Sequence, residues 1–534
     1  MNCTSFRIPY RQANAFSNIV LDYIDHADTL QHFYSFAPSI SGIQQQIEQR
    51  KKYATDRKAL VNVLNEQYKN VSPNETVSHN INRLTEDNCF TITTAHQPNL
   101  FTGPLYFIYK ILHTIKLAEH LQQSLPGFSF VPVYYMGSED ADFDELGHFY
   151  LGGEKKEWST KQTGAFGRMK VDKELKKIIE TLDGQLGIYP HGKEIIHLLN
   201  QFFKEGETIQ QATFKFIDAL FGQYGLIVLI ADHPALKKQM TSIFRDDLLQ
   251  QLASDIVQET SAKLDENYKI QAKPREINLF YMVDNVRSRI EWVNDHYVVH
   301  GSHLGFSKDE ILNELEMHPE RFSPNVILRA VFQESILPNI AFIGGGGELA
   351  YWLQLKGLFN HYQVPFPILV LRNSFLVVEE RWKNLIQKLN LDMDDIFLPI
   401  DDIINKKVVD DSKLELSLNG IYQKSNDLYG SLMQQAGSID STLTQHVERL
   451  KTQQLEKLKE LEKKMLRAEK RKFGDQQRQI EKIKNQLFPK NGLQERYDNM
   501  LYYYAVYGSA FIQILYDHSL TLDQEFTLLE IKNS

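Results

Sequence analysis

Twice between Cys89 and Glu145 the chain runs from a short β-type segment into a loop crowded with polar side chains, and few architectures accept that order. Cys89 to Thr94 reads as a strand that stops at His96-Gln97-Pro98-Asn99, Pro104 to Leu121 carries helical spacing, and Phe128 to Met136 is a second strand entering the acidic loop Ser138 to Glu145. Strand, helix and strand with polar loops at equivalent ends make a βαβ unit. Gly225 to Ala231 is uninterrupted in its apolar character and closes on Asp232-His233-Pro234, as expected of a strand covered on both faces of a parallel sheet. Val326 to Val331, Ile340 to Ile343 and Phe366 to Leu371 read as further strands, with Gly347 to Asn360 as a helix. The prediction is a doubly wound α/β core over residues 89–390, interrupted by insertions at about 147–224 and 263–322. The first insertion reads as irregular up to Thr208, with small β signals; the second shows β-like pieces around Leu279 to Val283 and Ser288 to Trp292.

Residues 1–88 read as a helical segment and 391–534 as a helical region. Within the latter, the apolar or neutral positions Leu443, Val447, Leu450, Gln454, Leu458, Leu461, Met465 and Ala468 recur at gaps of three and four residues, and a second register follows from Phe473 to Leu487. Interrupted heptads of this kind predict a coiled-coil arm over about 442–487, with Gly474 either inside one helix or at a hairpin tip. The seam has little apolar surface to meet within one chain, so the arm is expected to make a homodimer. Terminal helices are expected at Leu493 to Leu515 and Asp523 to Ile531.

The charge balance is −9 for 534 residues, yet Glu448 to Lys484 alone carries 13 Lys and Arg against 7 Asp and Glu, which places a basic arm on an acidic body. Such a body is a poor polyanion binder and no nucleic-acid partner is expected, although a non-catalytic assembly or nucleic-acid-binding protein using the basic arm is the alternative of another class. The longest apolar run, Leu226 to Ala231, is far short of the ~20 residues a membrane span needs. The start of the chain lacks the pattern of a signal peptide, and Cys3 and Cys89 are too few for a disulfide framework, so a reducing cytoplasm is expected. None of the 17 histidines has zinc-site spacing and the acidic loop lacks the glycine and distal glutamate of a calcium loop, so no metal site is expected.

Three segments could carry chemistry. The loop from His96 to Pro104 sits between strand and helix, at the carboxyl edge where open α/β sheets bind ligands; there His96 and Gln97 would add donors to helix N–H groups, the bland reading being a turn that merely ends a strand. Glu139, Asp140, Asp142, Asp144 and Glu145 repel one another unless a cationic group sits among them or they face water as helix caps. Gly344-Gly345-Gly346-Gly347-Glu348 suits close backbone approach to an anion, with Tyr351 and Trp352 just beyond, but matches neither a P-loop nor a dinucleotide fingerprint. Arg329 and Arg372 could each fork onto a carboxylate or phosphate, surface pairing being the commoner fate of an arginine.

Taken in order, Thr94-Ala95-His96-Gln97 with Thr102-Gly103-Pro104-Leu105-Tyr106, Glu139-Asp140 with Asp142-Phe143, Ser323-Pro324-Asn325-Val326 with Arg329, Gly344-Gly345 with Gly347-Glu348 and Ala350-Tyr351-Trp352, and Leu487-Phe488-Pro489 before Leu493-Gln494-Glu495-Arg496 resemble the cysteine ligase family of bacillithiol biosynthesis. The resemblance spans nearly the whole chain. It implies a Rossmann-like core with inserted connecting segments, a C-terminal coiled-coil domain that dimerises, and a ligase joining cysteine to glucosaminyl-malate, the last step in making a low-molecular-weight thiol. On that reading His96, Glu139, Asp140 and Asp142 are catalytic. Gln97, Gly103, Tyr106, Asn325, Arg329, Gly344, Gly345, Gly347, Glu348, Tyr351, Trp352, Arg372 and Ser374 bind substrate. The sequence departs from the family pattern around His96-Gln97, where a second glutamine or a preceding glycine is expected, at Ala141, where a histidine is expected, and at Gly346, where a proline is expected. Joining a carboxylate to an ammonium in water is uphill, so ATP with Mg²⁺ is expected on chemical grounds; the His-x-Gly-His and Lys-Met-Ser-Lys-Ser signatures of nucleotide-activating synthetases are absent. A related ligase for another amine and acid is the alternative within enzymes.

Overall fold

A computed structural model describes residues 3–71, 73–412, 414 and 416–532. Five parallel strands form its central sheet: β1 (Cys89–His96), β2 (Ser129–Met136), β3 (Ile227–Ile230), β4 (Asn339–Gly344) and β5 (Ile368–Leu371), in the order β5-β4-β1-β2-β3. β1 and β2 pair along their full length, from Cys89 opposite Ser129 to His96 opposite Met136, while β4 pairs with β1 through Ala341 opposite Ile92 to Ile343 opposite Thr94. This is the doubly wound order, and its reversal point lies between β1 and β4. The strands are buried on both faces, which is why their sequences are apolar runs rather than alternations. Phe90, Ile92, Ile340, Ile343, Ile368 and Val370 share one core with Leu117 and Leu121 of α1 (Tyr106–Ser124) and with Ile43 and Ile47 of the Ile40–Arg50 helix.

Four stretches differ from the sequence reading, the first being Cys3–Pro9, a strand at the start of the segment expected to be helical. Val326–Ile336 is a helix, α2, not a strand: Asn325 caps it by accepting from the Ile327 and Leu328 N–H groups at 2.8 and 3.4 Å. The part read as strand, Val326 to Val331, is apolar but for Arg329, a pattern that either state accepts, and the eleven-residue length of the helix settles it. Glu525–Ile531, expected as helix, is a strand paired with Cys3–Pro9, for the same reason. The first insertion is largely helical, with helices at Lys173–Leu186, Gly192–Phe202 and Ile209–Phe221. The second insertion agrees with its β-like sequence: it contributes to a five-stranded sheet built from Leu279–Val283, Val286–Val293, His296–Val299, Gly305–Phe306 and Phe322–Pro324. A further helix, α3 (Gly346–Leu353), follows β4 directly.

The described chain divides into two compact units, one comprising residues 3–376 with 493–529 and the other 377–492 with 530 onward. In the second unit α4 (Asn419–Ile439) lies against α5 (Thr442–Lys470), so the arm is a helical hairpin. Its tip is at Asp440, whose Oδ1 accepts from the Thr442 N–H and hydroxyl at 2.8 Å each, not at Gly474. Gly474 is helical and opens α6 (Gly474–Leu487) after one 3₁₀ turn. The sequence reading missed α4 as the packing partner because its Gly, Ser and Asn content masks the periodicity of its apolar residues.

Candidate active site

Because β1 and β4 are adjacent and parallel, the loop after His96 and the turn at Gly345 to Gly347 emerge side by side and line one cleft of about 540 Å³. This is the edge and the switch point at which α/β sheets bind ligands. His96, Gln97, Tyr106, Asp140, Asn325, Arg329, Gly345, Gly347, Glu348, Tyr351 and Arg372 all line it, so most of the residues singled out from sequence converge.

His96 lies between the rings of Tyr106 and Phe107, at 5.3 and 5.2 Å between centroids, and its Nε2 is buried without a partner. Burial, reinforced by the charges of Lys110 and Arg372, holds its pKa well below the usual imidazole value against the opposing pull of Asp140. A neutral imidazole with an unpartnered nitrogen is equipped to receive a proton. Across the cleft, the Gly345 N–H donates to Glu348 Oε2 at 2.8 Å, and the same oxygen accepts from Lys110 Nζ at 2.6 Å. Lys110, fully buried on α1, also donates to the Ala95 carbonyl, so one ammonium ties the end of β1 to the start of α3. Gly347 has open space where a Cβ would stand, which leaves the first turn of α3 approachable by a ligand.

Asp140 is held by Arg329, with Nη1 to Oδ2 at 2.7 Å and Nη2 to Oδ1, while Arg287 stands 3.7 Å away. Burial pushes the Asp140 pKa up, but the two guanidiniums and Gln97 prevail and keep it below the usual carboxylate value. It is a fixed anion and a poor base. Glu145 is the acid of this wall with a raised pKa, through burial first and then the charges of Asp142 and Asp140. A carboxylate in that setting gains from a neighbouring ammonium.

Six predicted site residues stand outside the cleft lining. Glu139 is buried in an ion pair with Lys237, which also meets Asp232 at 3.1 Å; Asp232 in turn takes both Nε and Nη2 of Arg168, at 2.7 and 2.8 Å. Asp142 caps the short helix Phe143–Leu146, accepting from the Glu145 N–H at 3.1 Å. Gly103 has φ +60° and packs on Asn99, so it serves the turn, and a Cβ at Gly344 would lie 2.8 Å from Leu349 and Phe342, so it serves packing. Trp352 stacks on Phe342 at 4.4 Å in the core. Ser374 accepts from Arg372 at 3.1 Å and meets Glu495 at 3.2 Å, in a buried network where Arg372 Nη2 donates to Glu495 at 2.6 Å.

The cleft also holds residues that the sequence reading did not single out. Lys273, Arg275, Arg287 and Arg289 come from the second insertion and Arg496 from the segment after the arm. With Arg329 and Arg372 they make seven cationic side chains against the carboxylates of Asp140, Glu145 and Glu348. Among the described residues Lys273, Arg275 and Arg496 meet no carboxylate, so the cleft presents unneutralised positive charge. Arg287 and Arg289 carried a readable signal, two cations spaced by two on one strand and therefore on one face. Lys110, the lone cation in the apolar stretch from Phe107 to Leu112, carried another.

Two family models cover the chain: that of the bacillithiol biosynthesis BshC N-terminal Rossmann-like domain matches residues 1–373, and that of the BshC C-terminal coiled-coil domain matches residues 375–531. Curated relatives named "Putative cysteine ligase BshC" align over almost the full length. The protein of Flavobacterium psychrophilum is 38% identical over 98% of this chain and 99% of its own. That of Christiangramia forsetii is 37% identical over 99% and 98%. That of Bacillus cytotoxicus is 27% identical over 93% and 94%.

Proposed function

The chain belongs to the bacillithiol biosynthesis BshC family, and we propose that it is a ligase that joins the carboxyl of cysteine to the amine of glucosaminyl-malate. The observation that carries this reading is the cleft at the β1/β4 switch point, where uncompensated cations face a neutral histidine and an acid with a raised pKa. Arg275, Arg287, Arg289 and Arg496 would take the malate carboxylates or a phosphate, because guanidinium pairs with both by paired hydrogen bonds. Glu145, with Asp140 behind it, would hold the substrate ammonium. His96 Nε2 would receive the amine proton as nitrogen attacks the activated carboxyl carbon, and the N–H groups at the start of α3 with Arg372 would bind the oxyanion and the departing anion.

Activation of the carboxyl by ATP is part of the proposal. Among the described residues no three His, Cys, Asp or Glu side chains gather to hold a metal ion. Mg²⁺ accompanying a nucleotide would be held by phosphate oxygens and water, and no step is assigned to it. We place the homodimer on the arm, where Ile421, Leu428, Leu432, Ile439, Leu443, Leu450 and Leu461 are exposed along the α4–α5 hairpin.

Product analysis after incubation with cysteine, glucosaminyl-malate and ATP, against omission of each, tests the reaction. The amide is expected only in the complete mixture; amide formed without ATP would remove the nucleotide from the proposal, and none under any condition would remove the reaction. His96→Ala is expected to lower kcat by roughly 10²- to 10⁴-fold, the range for a general base, with the fold intact by circular dichroism.

A further inference from the structure

The opposite edge of the central sheet carries a second cavity, of about 490 Å³, whose lining includes Arg50, Lys51, Arg57, Tyr53, Phe90 and Phe128. Phe90 lies near the start of β1 and His96 at its end, and six residues at ~3.3 Å each put this cavity about 20 Å from the catalytic cleft. The proposed reaction makes no use of it.

Arg50 is 2% exposed and makes no ion pair among the described residues. Its Nη2 donates to Thr55 Oγ1 at 2.9 Å, to the Glu334 carbonyl at 2.7 Å and to the Leu337 carbonyl. That accounts for one nitrogen. Nε and Nη1 are buried and have no hydrogen-bond partner among the described residues. The nearby acid, Glu334, is a weak counter-charge: burial pushes its pKa up to about 7, and its Oε1 already accepts from Gln333 and Asn339 at 2.9 and 2.8 Å. A guanidinium withdrawn from water with donors unmet is costly, and a role as a mere staple between helices leaves that cost unrelieved.

The other two cations reinforce the pattern. Lys51 stands 4.8 Å from the Phe128 centroid, Arg57 5.9 Å from that of Phe90, and Arg50 4.8 Å from that of Tyr53, so each is backed by a ring. Arg57 is further fixed by donating to the Leu84 carbonyl at 2.9 Å and the Asp87 carbonyl at 3.4 Å. Besides Glu334, acids near these cations are Asp87 in the wall and Glu48, which pairs with Lys51 at 2.8 Å in solvent.

We propose that this cavity binds a small organic oxyanion, a phosphate or carboxylate, on Arg50, Lys51 and Arg57, at a site separate from the catalytic cleft. The oxyanion would meet the free Arg50 N–H groups, and the remaining volume would take the body of the ligand.

The test is calorimetric titration of the full-length protein at low ionic strength with pyrophosphate and, separately, with succinate. Arg50→Met is the direct variant but removes a buried structural group, so the Lys51→Glu/Arg57→Met double variant, altered at partly exposed positions, decides. The wild type is expected to show a class of anion sites that weakens tenfold or more in the double variant. Loss confined to pyrophosphate would identify a phosphate ligand, and loss with succinate a carboxylate. Isotherms identical in wild type and double variant for both probes, or no binding by the wild type, would overturn the proposal. The result is independent of the ligase reading, because the catalytic cleft is unaltered in this variant.

Discussion

The sheet-bearing unit and the helical arm use the same charged residues in opposite ways. On the arm, Lys457 pairs with Glu460 at 3.1 Å and Lys459 with Glu456 at 2.9 Å, one helical turn apart and in water. In the body, Lys237 reaches Glu139 and Arg372 reaches Glu495 between segments distant in sequence and almost wholly withdrawn from solvent, and Arg329 reaches the equally distant Asp140 with both side chains largely buried. Exposed pairs gain little because water screens them and side-chain entropy is lost, whereas breaking a buried pair strands a charge where nothing solvates it. One side-chain chemistry therefore keeps the arm solvated and fixes the geometry of the body.

The largest effect is expected at Lys237, which has no exposed surface. Lys237→Met is expected to destabilise the protein by about 3–5 kcal/mol, read by urea denaturation, since Glu139 and Asp232 would be left facing each other. Adding Glu139→Gln should recover part of the loss; a single variant as stable as wild type would show that the buried network is dispensable.

Asp247 is a buried carboxylate of the body that makes stability depend on pH. Burial raises its pKa to about 7, against the lowering effect of the Asn278 N–H and amide that bond it at 2.6 and 3.1 Å. The folded state therefore binds this proton more tightly than the unfolded state, so its contribution is present at low pH and lost as pH rises from about 4 to about 7, by at most about 4 kcal/mol. Urea midpoints across that interval should fall with pH in the wild type and flatten in Asp247→Asn. Equal slopes in both would assign the dependence to other groups.

On the arm the expected effects fall on association. Leu428→Glu, Leu432→Glu and Leu450→Glu together should yield a monomer in sedimentation with the melting temperature of the body unchanged, because these side chains are 59%, 40% and 42% exposed. A dimer that survives would move the interface off the hairpin. The smallest effect is expected for Lys457→Ala, with no resolvable change in melting; a clear loss would mean the pair is more shielded than its exposure indicates.

Legibility followed the range of the interactions. β1, β2 and β3 were readable because a strand buried on both faces must be apolar along its length, and the polar loops at their ends placed the cleft at one edge of the sheet. The same reasoning failed for Val326–Ile336 and Glu525–Ile531, where a short apolar run satisfies helix and strand alike. The arm was recognised from its heptads, but α4 was missed and the hairpin tip sits at Asp440 rather than Gly474.

The parallel α/β core, the coiled-coil arm and the place of the His96 loop at the carboxyl edge of the sheet are legible in the residues alone, since strand periodicity and the loop chemistry at strand ends are local properties. Which carboxylate is tied to which cation depends on the folded chain. Asp140 finds Arg329, 189 residues away, Glu139 turns instead to Lys237, and Lys273, Arg275, Arg287 and Arg289 enter the cleft from an insertion. Whether an ionisable side chain becomes a base, an anchor or a ligand depends on how fully it loses water and which charge it then meets, and both are set by chain segments that no local pattern connects.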